Sequence, residues 1–420
     1  STIDRRFVAE ALLGDGKIYQ GAALNTFNLK NKVYPLIYGG DAANKSAITD
    51  IVEARECWDG ALSKDLVTGK IVFCDAPIDG DAVGSVGGVG SIMRFVNNPY
   101  RYTDYAVPFS LPATVVDLKD GAAVFSYINK TKSPTATIAR TKPIKDSKAP
   151  YVVSFSSRGP STITDVLKPD LTAPGVDILA AWSPMYPITS GVKDTRKVSY
   201  NIISGTSMSC PHASAAAAYV KSFHPDWSPA AIRSALMTTA RRMTASSNPE
   251  AELAYGAGQI DPLKAVNPGL VYDAGEADYV KMLCDEGYDT KSLRGITGDK
   301  SVCPAPVNTS SDADLNYPSF AVRAPSTDPA SKRFLRTVTN VGSGKSTYRA
   351  TVTAPPQLKV DVQPTTLSFQ RAQDKQSFVV NVVATVKNQD TVLSASLVWS
   401  DGVHHVRSPI VGYMDPGDYY

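Results

Sequence analysis

The sequence predicts an α/β protein that ends in a β-sandwich, and three observations carry that prediction. Short apolar runs separated by glycine-rich turns fill residues 32 to 138. A small-residue turn, Ser204-Gly205-Thr206, leads into an alanine-rich stretch of high helix propensity. From residue 312 onward the apolar period falls to two, the period of strands with one buried face.

At 420 residues the chain is long enough for roughly two to four domains, each with its own core. Charge is nearly balanced, 43 basic against 40 acidic side chains, which argues against a nucleic acid or other polyanion as partner. No apolar run of about 18 residues occurs, and the stretch near Ala215 is too short to cross a bilayer, so no membrane partner is expected. The chain opens at Ser1-Thr2-Ile3-Asp4 without a signal-peptide pattern, so export is not read directly from it. Five cysteines are an odd count. Cys57 and Cys74 flank one compact segment and Cys284 and Cys303 another, which predicts a bridge within each pair and leaves Cys210 free and buried. Each loop would contribute about 3 kcal/mol in chain-entropy terms. Sequons at Asn44, Asn129 and Asn308 are glycosylation candidates, and with the paired cysteines they favour an oxidising compartment.

Taken in order, residues 1 to 27 alternate polar and apolar positions around Gly14-Asp15-Gly16, which predicts a hairpin with a D-G turn. Lys70–Cys74, Ser91–Phe95 and Leu111–Val116 read as strands, Gly84 to Gly90 as a turn, and Gly121 to Asn129 as a helix. The G-x-x-G-G-x-G spacing of that turn is not the G-x-G-x-x-G of a dinucleotide site, and no acidic residue follows at the right distance. Val152 to Pro160 reads as a strand and a turn, and Lys168 to Leu179 as a loop entering another strand. Ser228-Pro229 and Asp261-Pro262 are helix starts, a capping side chain followed by proline at the first helical position. Further on, Leu358, Val360 and Val362 alternate, as do Phe378, Val380 and Val382, and Asp401-Gly402 sits where a hairpin would turn.

Ser207 is the candidate catalytic residue. A serine ahead of a helix is most often a cap, but this one follows a turn of small residues that lets other groups approach its hydroxyl. Unpaired amides and the positive end of the helix dipole lie beside it, so negative charge on a substrate oxygen would be stabilised there. The Thr206 hydroxyl is a candidate supporting donor. A serine nucleophile also needs a base, a carboxylate to orient that base, and donors for the oxyanion. None of the four histidines supplies the base: His212 reads as a core residue of the helix, His224 precedes Pro225 at the helix end, and His404 and His405 point to opposite faces of a strand.

The run Gly205-Thr206-Ser207-Met208-Ser209-Cys210-Pro211-His212 resembles the nucleophile motif of the subtilisin-like serine proteases, in particular their plant, cucumisin-like branch. Ser1-Thr2-Ile3-Asp4-Arg5-Arg6-Phe7, Lys168 to Leu179, and Gly256 to Leu270 resemble phrases of the same family, with Gln259 where the branch often has His. The resemblance implies an incomplete subtilisin-like parallel-sheet catalytic core formed by residues 1–31 and 139–311. Residues 32–138, with their G-K-I-V-F-C and V-G-G-V-G-S-I-M phrases, resemble the inserted protease-associated domain. That module would act in substrate access or in self-association as a homodimer. Residues 312–413 resemble the family's fibronectin-III-like sandwich, and 414–420 read as a tail.

Subtilases carry their catalytic Asp in a D-T/S-G phrase, their His in G-H-G-T-H and their oxyanion Asn in an S-A-G-N-type phrase; none of these occurs here. The expectation is therefore a secreted serine endopeptidase's nucleophile-bearing C-terminal part, inactive alone, whose partners are the N-terminal part as a separate chain and a protein or peptide substrate. Removing the first strands of a covered parallel sheet should leave an apolar face open. The expected location is the extracellular space, apoplast or latex, with the vacuole as alternative. No cofactor is implied; calcium stays open, since no D-x-D-x-D-G loop occurs and plant relatives need not carry the bacterial sites. The competing readings are a non-catalytic protein-binding fragment and a peptide ligase or transpeptidase using the same acyl-enzyme.

Overall fold

The computed structural model describes residues 1–78, 80–96, 104–161, 164–189, 191, 194–303, 315–325, 327–342, 344–389 and 391–414. The chain forms two compact units, Ser1–Ser156 with Pro174–Met208, and Ser157–Ala173 with Ser209–Tyr420.

In the first unit, β1 (Arg5–Leu13) and β2 (Ile18–Ala22) form the hairpin, with Gly16 at φ 84° in the left-handed region that favours glycine. They share one sheet with β3 (Tyr34–Tyr38), β4 (Ile71–Cys74), β5 (Gly90–Met93), β6 (Ala113–Val115), β7 (Thr135–Ile138) and β8 (Lys142–Lys145). Its order is β2-β6-β5-β4-β3-β7-β1-β8, and β1 also pairs with β2, so the pairings close into a ring. β3 to β6 run parallel, which requires crossovers. Helices α1 (Ile51–Arg55) and α2 (Lys64–Val67) lie between β3 and β4, and α3 (Asp81–Ser85) between β4 and β5.

Because side chains alternate along a strand, β4 feeds two cores. Val72 and Cys74 join Met93 and Val115, while Ile71 and Phe73 join Ile92 and Ile138. The Cys57–Cys74 bridge is buried in the first of these cores. Helix α4 (Leu118–Lys130) covers the second core with Val124 and Ile128, its N-terminus capped by Asp117. A boundary at residue 31 thus runs through one sheet, since β1 and β2 pair with strands from both sides of it.

The parallel catalytic sheet implied by the resemblance is not found among the described residues. Within 139–303, apart from the edges β8 and β11, the described strands are β9 (Ile178–Ala181) and β10 (Tyr200–Ile203), which pair antiparallel with each other. Val152 to Pro160 is not a strand either. Its apolar alternation is real, but Ser154 gives both its amide and its hydroxyl to the Asp104 carboxylate instead of to a ladder.

Helix α5 (Thr206–Phe223) leads into the second unit, where α6 (Pro229–Thr238) and α8 (Pro262–Ala265) start at Ser228-Pro229 and Asp261-Pro262, with α7 (Glu252–Tyr255) between them. The capping oxygens accept from the Ala231 and Lys264 amides. Strand β11 (Leu270–Tyr272), helices α9 (Glu276–Asp285) and α10 (Thr290–Thr297) and the Cys284–Cys303 bridge follow.

Eight strands complete the sandwich: β12 (Phe320–Ala324), β13 (Ala330–Asn340), β14 (Ser346–Thr353), β15 (Leu358–Gln363), β16 (Thr366–Phe369), β17 (Lys375–Ala384), β18 (Leu393–Ser400) and β19 (His405–Met414). Two sheets, β11-β13-β17-β15 and β12-β19-β18-β14-β16, enclose a core centred on Trp399, Tyr348, Phe320, Phe369 and Phe378. The alternating residues of β17, Phe378, Val380 and Val382, all face it.

Candidate active site

β9 and β10 set the approach to Ser207. After β10 the chain turns through Ser204-Gly205, and α5 begins at Thr206. Two hydrogen-bond sets fix this turn. The Gly205 amide donates to the Gly175 carbonyl at 2.8 Å. The Asp177 amide donates to Ser204 Oγ at 2.8 Å, and Ser204 Oγ in turn donates to Asp177 Oδ1 at 3.2 Å. Asp177 Oδ1 also accepts the Ala106 amide at 3.1 Å. Asp177 is buried and holds φ 55°, a left-handed backbone that costs a non-glycine residue free energy. Burial pushes its carboxyl pKa up, opposed by the bonds from Ala106 and Ser204.

Ser207 is exposed in the first turn of α5, and its hydroxyl has no hydrogen-bond partner among the described residues. Thr206 beside it is also exposed. Amides of a first helical turn precede the i to i−4 ladder, and the positive end of the helix dipole lies with them. The arrangement can present an oxygen nucleophile next to donors for an oxyanion.

The rest of α5 departs from expectation. Only Ala216 and Val220 of its residues are buried. His212 is exposed, so it is not a core histidine, and Cys210 is free but exposed rather than buried. Two residues apart on the helix, they point to opposite sides, and both sides are open in this half of α5; Tyr219 and Phe223, in edge-to-face contact, are exposed further along the side of His212. His224 Nε2 pairs with the Val266 carbonyl at 2.7 Å while its ring stacks on Trp227. His404 lies in the turn before β19, with Nδ1 held by Asp401 Oδ2 at 2.9 Å, and His405 is exposed at the strand's first position.

The other singled-out residues lie apart from this turn in sequence and chemistry. Cys57 is joined to Cys74 and Cys284 to Cys303. Asn129 is exposed in the last turn of α4; Asn44 is half-buried and accepts from the Ser46 hydroxyl; Asn308 lies outside the described residues. No cluster of three or more His, Cys, Asp or Glu that could hold a metal exists among the described residues, and no described helix is long and apolar enough to cross a membrane. Sequence reasoning missed Asp177. Its bond from Ala106 links residues 71 apart, which no local spacing signals.

A nucleophile-like serine on a clamped turn, followed in the chain by a sandwich, describes a class of protein that the comparisons make specific. A subtilase family model matches residues 59–258 and a fibronectin type-III domain model residues 314–411. The chain belongs to the subtilase family. It is 46% identical to subtilisin-like protease SBT4.6 of Arabidopsis thaliana, over 98% of its own length and 55% of that protein's. Subtilisin-like proteases SBT4.4 and SBT4.15 of the same plant are 46% and 44% identical, each matched over 56% of its length. The chain therefore spans about half the length of the curated relatives it matches. The subtilase match begins at residue 59, inside the segment whose phrases resemble a protease-associated insert, and ends beyond it at residue 258.

Proposed function

We propose that this chain carries the nucleophile, Ser207, of a secreted serine endopeptidase that hydrolyses peptide bonds through an acyl-enzyme. The single observation behind the reading is an exposed serine hydroxyl, without a hydrogen-bond partner among the described residues, at the start of α5 on a turn fixed by Asp177 and Gly175. In this mechanism Ser207 Oγ attacks the scissile carbonyl carbon and its proton passes to an imidazole. The first-turn amide of Ser207, supported by the Thr206 hydroxyl, stabilises the oxyanion. Collapse of the tetrahedral species expels the amine, which takes the proton, and water then releases the acid. The imidazole, its orienting Asp and the oxyanion Asn come from the N-terminal part of the protease, present as a separate polypeptide, and this chain alone is inactive.

The open face of α5, with Tyr219 and Phe223 exposed, supports contact with that second polypeptide. Residues 32–138 act as a protease-associated module, in substrate access or self-association. Secretion, and glycosylation at Asn44, Asn129 and Asn308, accord with the two disulfides.

The test is peptide hydrolysis by the chain assembled with that second polypeptide and by the same assembly carrying Ser207→Ala. Loss of about three or more orders of magnitude in kcat on substitution is expected, because the remaining groups cannot form the acyl-enzyme. Full activity without the Ser207 hydroxyl would overturn the proposal.

A further inference from the structure

We propose that Asp177 is a positioning residue for the nucleophile, holding the Ser204-Gly205 turn through a reciprocal clamp on Ser204; the inference rests on reading Ser207 as the nucleophile. Three observations lead to it. First, the clamp is doubled: the Asp177 amide donates to Ser204 Oγ, and that hydroxyl donates back to Asp177 Oδ1. A serine side chain bonded in both directions has no rotamer left to explore, so the backbone three residues ahead of Ser207 is fixed as well.

Second, Asp177 is itself held, because the Ala106 amide donates to the same Oδ1. That bond ties the turn to the segment that leads into β6. Third, the residue is costly for the fold. It combines a left-handed φ of 55° with a buried carboxylate whose Oδ2 meets no hydrogen-bond geometry among the described residues, although the Phe7 amide, like the Ala106 amide and the Ser204 hydroxyl, acts to lower the carboxyl pKa. Asp177 lines a small cavity of about 130 Å³ together with Arg6, Gln20, Asp104 and Asp117. A glycine at 177 would relieve the backbone and an apolar residue would remove Oδ2. Neither could hold Ser204. Residues kept against such costs are those whose geometry serves the site.

The clamp acts on Ser207 through the chain and touches no substrate, so its removal should slow the chemical step while leaving substrate binding nearly intact. A misplaced nucleophile of this kind loses about 100-fold in rate.

The experiment has two arms and three variants, Asp177→Ala, Asp177→Asn and Ser204→Ala. In the first arm, amide hydrogen exchange is followed on the 420-residue chain. Exchange across residues 200–208 is expected to accelerate about tenfold in Asp177→Ala and Ser204→Ala, with sandwich peptides unchanged. Asp177→Asn keeps an Oδ1 acceptor for Ala106 and Ser204 and should stay near the wild type.

In the second arm the variants are assembled with the N-terminal polypeptide. Asp177→Ala should lower kcat about 100-fold with KM almost unmoved, and Asp177→Asn should restore most of it. Unchanged exchange in Asp177→Ala would overturn the clamp. Accelerated exchange with kcat intact, or failure of Asp177→Asn to rescue, would overturn the positioning role. An assembled wild type whose Ser207 resists a fluorophosphonate probe would instead sink the nucleophile reading, while the exchange arm still decides whether the clamp exists.

Discussion

At the scale of single residues, the sequence shows chemistry that is local and hides chemistry that is not. The turn before Ser207 and the helix that starts there were legible because they are contiguous in the chain. Asp177 was not, because its partners lie 27 and 71 residues away and its left-handed backbone has no glycine to announce it. Glu252 is a second buried carboxyl that the sequence does not flag. It accepts the Ser394 hydroxyl at 2.7 Å while its other oxygen meets no hydrogen-bond geometry among the described residues, and burial pushes its pKa up, opposed by that bond, by its own backbone amide and by Arg407 and Arg242. A raised folded pKa means the native state holds its proton longer than the unfolded chain. The stability tied to Glu252 is therefore full below about pH 4.3 and is lost as pH rises through the raised value. Thermal melts across that range should show Glu252→Gln gaining on the wild type as the pH approaches neutrality, since the amide keeps the Ser394 bond without the charge. A Gln variant that is less stable at neutral pH would show that the charge is favourable.

Among elements, caps and alternation were readable and pairing partners were not. The Asp-Gly hairpin turns, the Ser-Pro and Asp-Pro helix starts and the period-two strands β15 and β17 all appear where their residues place them. Where Gly84 to Gly90 reads only as a turn, a short helix already occupies Asp81–Ser85. The α5 face failed as a prediction because burial depends on what packs against a helix, not on its own composition. Two expectations belong at this scale. Truncating Trp399, fully buried between the two sheets beside Phe378, should cost about 3 to 5 kcal/mol in denaturant unfolding of the sandwich. A Trp399→Ala variant within experimental error of the wild type would mean this core is not what holds the sheets. Replacing Cys284 and Cys303 by serine opens a loop of separation 19 and should cost about 3 kcal/mol. An unchanged denaturation midpoint would show that the bridge adds nothing to what α9 and α10 already fix.

For the molecule as a whole, the sandwich was the most legible part, because antiparallel strands with one buried face print their period on the sequence. Its family match at residues 314–411 agrees with the change in period. The division of the remainder was less legible. Residues 1–31, read as one segment with 139–311, instead complete a closed ring with the strands of 32–138. Ring closure depends on long-range pairings such as Ala22 with Val115, which composition and periodicity do not encode. The central claim is the proposal that Ser207 of this subtilase chain acts as a nucleophile with a base supplied by a second polypeptide. Mass-spectrometric mapping of fluorophosphonate adducts tests that claim most directly, comparing the isolated chain with the chain bound to a polypeptide carrying the G-H-G-T-H phrase. The account predicts an adduct on Ser207 in the assembled sample and none in the isolated chain; an unmodified Ser207 in the assembled sample would contradict it.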